Sequence, residues 1–276
     1  MEQKQNLKAT VIISIYNNIQ ALKVVLDSLK AQTEKAFEII ISEDADFQEV
    51  SDFINTYTFE NPYQLLTQED KGWRKNRALN KAIKASNTNW LIFIDGDCVL
   101  HPNFVESHLL LSGEKNIVAG KRIKLDSEMS SYLIIDYNNY KHIFKKVLKR
   151  YFAGNRDTKF IEEGFYAKPN SLIGKIMSLR KMHQLKGCNM SFSKKAIESI
   201  NGFNEEYIRP AIGEDIDLTW RFKGLGYKIV SARNLAVQYH LYHKENWVSQ
   251  EENQKIMEKC IQEKKYICDS GLKQLK

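Results

Sequence analysis

The 276-residue sequence predicts an α/β protein, a layered and mostly parallel central sheet with helices on both faces. Three observations lead to that class. Short runs rich in β-branched and aromatic residues alternate with longer stretches of helical periodicity between residues 10 and 125. Two of those runs end in clustered carboxylates, at 43–46 and 95–97, where an open α/β sheet presents its ligand crevice. The composition, 43% hydrophobic and 27% charged, belongs to a globular chain able to bury a substantial core.

Residues 10–16, TVIISIY, form the first expected strand. A helix follows, with Ile19, Leu22, Val25, Leu26 and Leu29 on its apolar face and Asn17 or Asn18 as its cap. The second strand, 37–42, runs into Glu43, Asp44, Ala45 and Asp46. A carboxylate there can accept a hydrogen bond from the imide of a nucleobase, Asp44 being the candidate, while Glu43 or Asp46 can cap the helix that begins near Phe47. No G-x-G-x-x-G follows the first strand and no G-x-x-x-x-G-K-[ST] occurs, which argues against a standard dinucleotide or P-loop site. After a third strand at 63–67 comes a cationic helix starting near Arg74, with Ala78, Leu79, Ala82 and Ile83 facing inward. Of its many cations, Arg74 is the one expected at the crevice and the rest read as a solvated face.

The stretch 91–100, LIFIDGDCVL, organises the chain: a buried central strand that ends in Asp95, Gly96 and Asp97. Alternation sets the two acids on one side if the extended backbone continues past Gly96. Two hard oxygen ligands at that spacing can hold Mg²⁺ or Mn²⁺ against a substrate phosphate, although Asp and Gly are also ordinary turn residues. A short helix begun by Pro102 and a strand at 116–125 complete this half.

Between 126 and 186 the pattern is less regular and more basic. Ile143, Phe144, Val147, Leu148, Tyr151 and Phe152 recur at helical spacing among Lys141, Lys145, Lys146, Lys149 and Arg150. Such a helix can pack on the sheet with its charges in water, or lie on an anionic membrane surface. Then Gly187 can let the backbone approach a ligand, Asn189 offers donors and acceptors to a sugar, and Ser193 starts a helix that Gly202 ends. In GEDIDLTWR, Glu214, Asp215 and Asp217 crowd the start of a helix. The helix dipole accounts for one of them, and Glu214 or Asp215 can serve as a general base. After a strand in YKIVSA, His240 and His243 can complete the coordination of a divalent metal. A helical tail at 248–276 carries Ile256, Cys260 and Tyr266 on its packing face.

Four scattered cysteines without zinc spacing, and no apolar run of secretory or bilayer length, lead us to expect a cytoplasmic protein whose membrane contact is peripheral, at the inner face. A net charge of +7 and pI near 9.0 favour an anionic partner. Nucleic acid is not expected, because the acidic strand ends would repel it. A carboxylate-metal nucleotidyltransferase is the nearest alternative enzyme, but it gives the late acidic cluster no task.

In order along the chain, TVIISIYNN, EIIISEDAD, QEDKGWRKNRALNKAI, IFIDGDCV, KGCNMSF, NGFNE, GEDIDLTWR and VQYHLYH resemble the motifs of inverting glycosyltransferases of family 2. These have the nucleotide-diphospho-sugar transferase fold, a GT-A-type, Rossmann-like sheet. The second half is most similar to bacterial hexosyl- and N-acetylhexosaminyltransferases and to the galactosyltransferase class. The resemblance implies one catalytic domain over 1–247, with a nucleotide-sugar half at 10–125, the basic segment at 126–186 and an acceptor half at 187–247. It implies a UDP-sugar donor, Mn²⁺ or Mg²⁺, and a saccharide acceptor, lipid-linked acceptors included.

By residue, the resemblance assigns the nucleoside to the backbone at Ile15 and Tyr16 and to Asp44. The diphosphate or sugar falls to Arg74, and the sugar or ribose to Asp95 beside Gly96. Metal ligation falls to Asp97 with His240, or with His243 as the alternative. Asp215 becomes the base and Glu214 its helper, with Gly187, Asn189 and Trp220 on the acceptor side. The family's Asp-Asp-Gly-Ser is here Glu43-Asp44-Ala45-Asp46, so only Asp44 keeps its match.

Overall fold

The computed structural model describes residues 6–244 and 248–275, and the expected boundary at 247 lies outside them. The first half runs β1 (Ala9–Ile15), α1 (Ile19–Lys30), β2 (Phe37–Glu43), α2 (Gln48–Thr56), β3 (Tyr63–Leu66), α3 (Lys75–Ala85), β4 (Trp90–Asp95) and β5 (Cys98–Leu100). Next come α4 (Phe104–Leu110), β6 (Asn116–Ala119), β7 (Ile123–Lys124), α5 (Ser127–Ile135), α6 (Tyr140–Phe152) and α7 (Leu172–Met177). The last part holds β8 (Met190–Ser193), α8 (Lys194–Ser199), α9 (Asp217–Gly224), β9 (Lys228–Ser231), β10 (Gln238–His240) and α10 (Glu251–Gln262).

Seven strands form one sheet in the order β3-β2-β1-β4-β8-β6-β9. The β3-β2-β1-β4 portion is parallel, β8 runs antiparallel between β4 and β6, and β9 is parallel to β6. Side-chain alternation divides each central strand between two cores. Val11, Ile13, Ile39, Ile41, Ile92 and Ile94 face α1, whereas Ile12, Ile40, Leu91 and Phe93 face Leu79 and Ile83 of α3. Each such fully buried side chain contributes about 1.5–3 kcal/mol over leaving it in water. Burial on both sides is why these runs read as continuous hydrophobic stretches.

Local signals account for the helix ends. Asn18 caps α1 by accepting from the Ala21 N–H, and Ser193 caps α8 through the Ala196 N–H. Gly202, at φ +78°, turns the chain after α8 into a left-handed conformation that suits glycine. Of the two acids offered as caps for α2, Glu43 is the one whose carboxylate accepts from the Phe47 N–H, at a long 3.4 Å.

A second, three-stranded sheet orders β5-β10-β7, with β10 antiparallel to β5 and parallel to β7. The single strand expected at 116–125 is therefore two short strands in two different sheets. In α6, Ile143 and Val147 are buried and Lys141, Lys145, Lys146 and Lys149 are exposed, so the first part of its apolar stripe is turned into the protein, while Tyr151 and Phe152 at its end are exposed. After α10 the tail returns to the second core through Leu272.

Candidate active site

The parallel strands β1, β2 and β4 end together beside a cavity of about 490 Å³ whose walls include Ile15, Tyr16, Asp44, Asp95, Gly96 and Asp97. Gly96 is required there by close approach. Its N–H donates to the Ser14 carbonyl at 2.8 Å, and a Cβ on it would stand 2.4 Å from Ile15 Cγ2. Asp44 is held by Gln68 Nε2 at 2.6 Å and by the Arg74 N–H at 2.7 Å, so its carboxylate is fixed before any ligand arrives. Tyr16 stands exposed at the rim, donating to Asp70 at 2.9 Å and meeting Phe47 edge-on.

The register of the small sheet delivers the histidines. His240 pairs with Cys98, and the Leu241 N–H donates to the Asp97 carbonyl at 2.9 Å. As a result His240 Nε2 and His243 Nε2 lie 3.4 and 3.3 Å from the same Asp97 oxygen, Oδ2. Burial alone would raise the Asp97 carboxyl. The His243 hydrogen bond and the positive charge of both imidazoles and Arg122 outweigh it and hold the pKa at about 2. Burial pushes His240 down to about 4. An ionised carboxylate and a neutral imidazole are the protonation states a metal requires, so these side chains form a candidate site for a divalent metal ion. Cys98 Sγ lies near these groups, but burial pushes its thiol well up and keeps it protonated.

The second half supplies a carboxylate pair on a different support. Ala211, at φ +79°, leads into a π-helical turn, Ile212–Ile216, that precedes α9 and presents Glu214 and Asp215 together. The Gly187 N–H donates to Asp215 Oδ1, and Lys186 Nζ lies 3.4 Å from Oδ2. A Cβ on Gly187 would come within 2.8 Å of Glu214 and 3.1 Å of Asp215, so the glycine gives the pair room. Burial pushes Asp215 above the ordinary carboxylate range. Lys186, the Gly187 N–H and Lys75 pull against that rise, and Asp95 adds to it.

Lys75 joins the two halves. Its ammonium lies 2.8 Å from Asp95 Oδ1 and 2.7 Å from Glu214 Oε1, with little of any of the three side chains exposed. Arg122 NH1 lies 3.8 Å from the other Asp95 oxygen. Burial works against the Lys75 charge, but Asp95 and Glu214 overcome it and raise the pKa well above that of free lysine. Asp215 lies in the wall of a second cavity of about 300 Å³.

Three sequence candidates stand elsewhere. The Arg74 guanidinium turns to the Glu69 carbonyl and is not among the residues lining the first cavity; the residue offers its backbone N–H to Asp44 instead. Asn189 is fully buried, with its amide donating to Lys121 O and Ala236 O at 2.9 Å and its oxygen 3.1 Å from His108 Nε2, so no polar atom is left to face a sugar. Trp220 packs on Tyr266 of the tail at a centroid distance of 4.7 Å and lines neither cavity. Lys75 and Arg122 are the residues sequence reasoning missed. Lys75 was hidden in a charge run, although it opens α3 beside Arg74.

A family model described as glycosyl transferase family 2 matches residues 10–199. A second, described as the N-terminal domain of galactosyltransferase, matches residues 173–244. Chondroitin synthase of Escherichia coli is 22% identical over 84% of this chain and 34% of its own length. Hyaluronan synthase of Pasteurella multocida is 23% identical over 46% of this chain and 13% of its own. The chain thus spans about a third or less of these curated relatives. Among solved structures, S. aureus TarS 1–349 in complex with UDP-GlcNAc aligns with TM-score 0.61 and 16% identity, over 91% of this chain and 64% of that one. A Pyrobaculum calidifontis mannosyltransferase in complex with GDP-Man and Mn²⁺ aligns with TM-score 0.54 and 14% identity, over 89% and 62%.

Proposed function

The chain belongs to glycosyl transferase family 2, and from that premise we propose that it transfers a hexose or N-acetylhexosamine from a UDP-sugar to a hydroxyl of a glycan acceptor, with inversion, in the synthesis of bacterial surface polysaccharide or lipopolysaccharide. The observation that carries this reading is that Asp97 and Asp215 line two cavities, and that Lys75 bridges Asp95 in the wall of the first to Glu214, the chain neighbour of Asp215. Donor and acceptor would then meet over Asp95. Asp44 and Tyr16 receive the nucleoside. Asp215 takes the proton of the acceptor hydroxyl as its oxygen bonds to the anomeric carbon, and the bond from that carbon to the diphosphate breaks with its electron pair leaving on UDP. One displacement inverts the configuration, and no side chain needs to attack.

Asp97 with His240 and His243 would hold Mn²⁺ or Mg²⁺. When bound, such a cation supplies charge that neutralises a departing diphosphate. The protein's own part is to keep those ligands deprotonated and aimed at one point. In a panel of nucleotide sugars, we expect metal-dependent release of UDP from one donor by the wild type, and its loss together with Mn²⁺ binding in Asp97→Ala. Release that persists without metal, or Mn²⁺ affinity untouched by the substitution, would sink this part of the reading.

For peripheral contact with an anionic membrane, the exposed apolar residues of α7 and its flanks offer more support than α6. Leu172, Ile173, Ile176 and Leu179 are 76, 57, 52 and 76% exposed, among the exposed Lys168, Lys175 and Lys181. The surrounding like charge disfavours a second copy of the same face and favours anionic lipid. At about 1 kcal/mol per lysine, replacing all three by Gln is expected to weaken sedimentation with phosphatidylglycerol vesicles by about a hundredfold. Equal sedimentation of the two proteins would refute the assignment. No helix among the described residues is long and apolar enough to cross a membrane.

A further inference from the structure

We infer that Cys188 is a modification site for a small peroxide, with Cys98 as the thiol that closes a disulfide on it, so that oxidation reversibly switches the site off. The thiol chemistry is independent of the proposed transferase reading, and only its effect on turnover rests on that reading. Cys188 is buried in the turn that precedes β8, with its side chain in the wall of the cavity that holds Asp215. Two donors converge on its sulfur, Arg122 NH1 at 2.8 Å and the amide Nε2 of the fully buried Gln238 at 3.2 Å. A neutral thiol is a weak acceptor, whereas a thiolate accepts strongly from charged and amide N–H groups. Two aimed N–H donors, one of them a guanidinium, therefore match Cys188 as a thiolate. A hydrogen bond from Cys98 and the charge of Arg122 lower its pKa below that of a free thiol, against the opposing pull of burial and of the Asp95 and Asp215 carboxylates.

The small sheet places its partner. Cys98 opens β5 across from His240, and its Sγ lies within 4.8 Å of Cys188 Sγ. The thiolate is the form that attacks a peroxide. The Cys188 sulfur bonds to one peroxide oxygen as the O–O bond breaks and hydroxide leaves, which gives a sulfenic acid. The Cys98 sulfur then gives up its proton and bonds to the Cys188 sulfur, and the S–O bond breaks with its electron pair on the departing hydroxide. Summed, two thiols are oxidised to a disulfide and one peroxide is reduced to two waters. Cys268 is set differently: its Sγ faces the Ile200 and Asn201 carbonyls at 3.6 and 3.4 Å, and burial pushes its thiol up to about 11. Burial raises Cys260 as well. A disulfide is about 2.0 Å long, so closing it pulls on two backbones that have tasks of their own. Cys98 follows Asp97, and Cys188 follows Gly187, whose N–H holds Asp215. A displacement of about 1 Å at such groups costs about a hundredfold in rate.

For the test, the full protein is reduced, freed of reductant and treated with hydrogen peroxide, and its remaining thiols are alkylated before digestion. Peptide mapping is expected to find Cys98 joined to Cys188, with Cys260 and Cys268 alkylated, and dithiothreitol is expected to reverse the link. In Cys98→Ser the reaction should stop at the sulfenic acid, which dimedone traps on Cys188. Arg122→Gln should slow that trapping by about tenfold, the drop in thiolate that one pKa unit gives. UDP release from a nucleotide sugar should fall by about a hundredfold in the oxidised protein and return on reduction. Cys188 left as fully alkylated as Cys260 and Cys268 after peroxide, or a sulfenic acid on Cys188 that never passes to Cys98, overturns the inference. So does undiminished UDP release by the fully linked protein. The wild-type map needs no variant to fold, and it keeps the two readings apart: if the reduced wild type releases no UDP from any nucleotide sugar, the transferase reading falls while the map still decides the thiol chemistry.

Discussion

Replacing Asp215 by Asn is expected to lower acceptor-dependent transfer by about 10²–10⁴-fold, the span a positioned general base contributes, while UDP affinity stays unchanged. Asn keeps the size and can still receive the Gly187 N–H, but it cannot take a proton. Glu214→Gln should behave differently. Glu214 is engaged by Lys75, so its loss frees that ammonium toward Asp95 and disturbs the donor side as well, raising KM for the nucleotide sugar. The pH profile gives a second readout. Burial lifts the Asp215 pKa against the pull of Lys186, and the base works only when ionised. The acid limb of kcat/KM should therefore fall at a pH above that of an ordinary aspartate, and Lys186→Met should move it higher still. An Asp215→Asn protein with undiminished kcat would remove this residue from the base role.

Arg221→Met is expected to cost about 3–5 kcal/mol in unfolding free energy, the usual cost of leaving one member of a buried ion pair alone. Arg221 and Asp217 sit four apart on α9 with side chains 1% and 0% exposed. Arg221 Nε donates to Asp217 Oδ2 at 2.7 Å, and NH1 reaches the Ile200 and Gly202 carbonyls at 2.8 Å. The Tyr207 hydroxyl donates to the other Asp217 oxygen at 3.1 Å. This network ties α9 to the turn after α8 and so holds the π-helical turn that carries Glu214 and Asp215. Asp217→Leu/Arg221→Met should recover most of the loss, since removing both charges leaves neither stranded. Denaturant titration decides it: a single variant as stable as the wild type would show that the pair holds nothing in place.

Asp217 shows why three acids in four positions were hard to separate by sequence. Glu214 and Asp215 face the bridge and the second cavity, whereas Asp217, two positions further on, is a structural anion. The sheet core was readable because β1, β2 and β4 are apolar on both faces, and so were the strand ends that carry Asp44, Asp95 and Asp97. The small sheet was not: β5, β7 and β10 have two or three residues each, too few for period-two alternation to register. Without that sheet, His240 and Asp97, far apart in sequence, share only a motif. Lys75 escaped for another reason. A cation in a basic run gives no local sign of being buried, and its bridging role depends on Glu214 arriving from the far end of the chain.

The place of β8 in the sheet governs how this chain can be made. Residues 190–193 lie between β4 and β6, and Leu91, Ile92 and Phe93 pair on that side with Phe192, Ser191 and Met190. During synthesis the parallel portion β3-β2-β1-β4 can be complete while its β4 flank still has no neighbour. A ribosome that stalls ahead of residue 190 therefore displays an open, apolar strand edge, the kind that recruits another chain. Cutting the gene just before β8 would separate the strand from both of its neighbours, so that neither fragment could close the sheet alone.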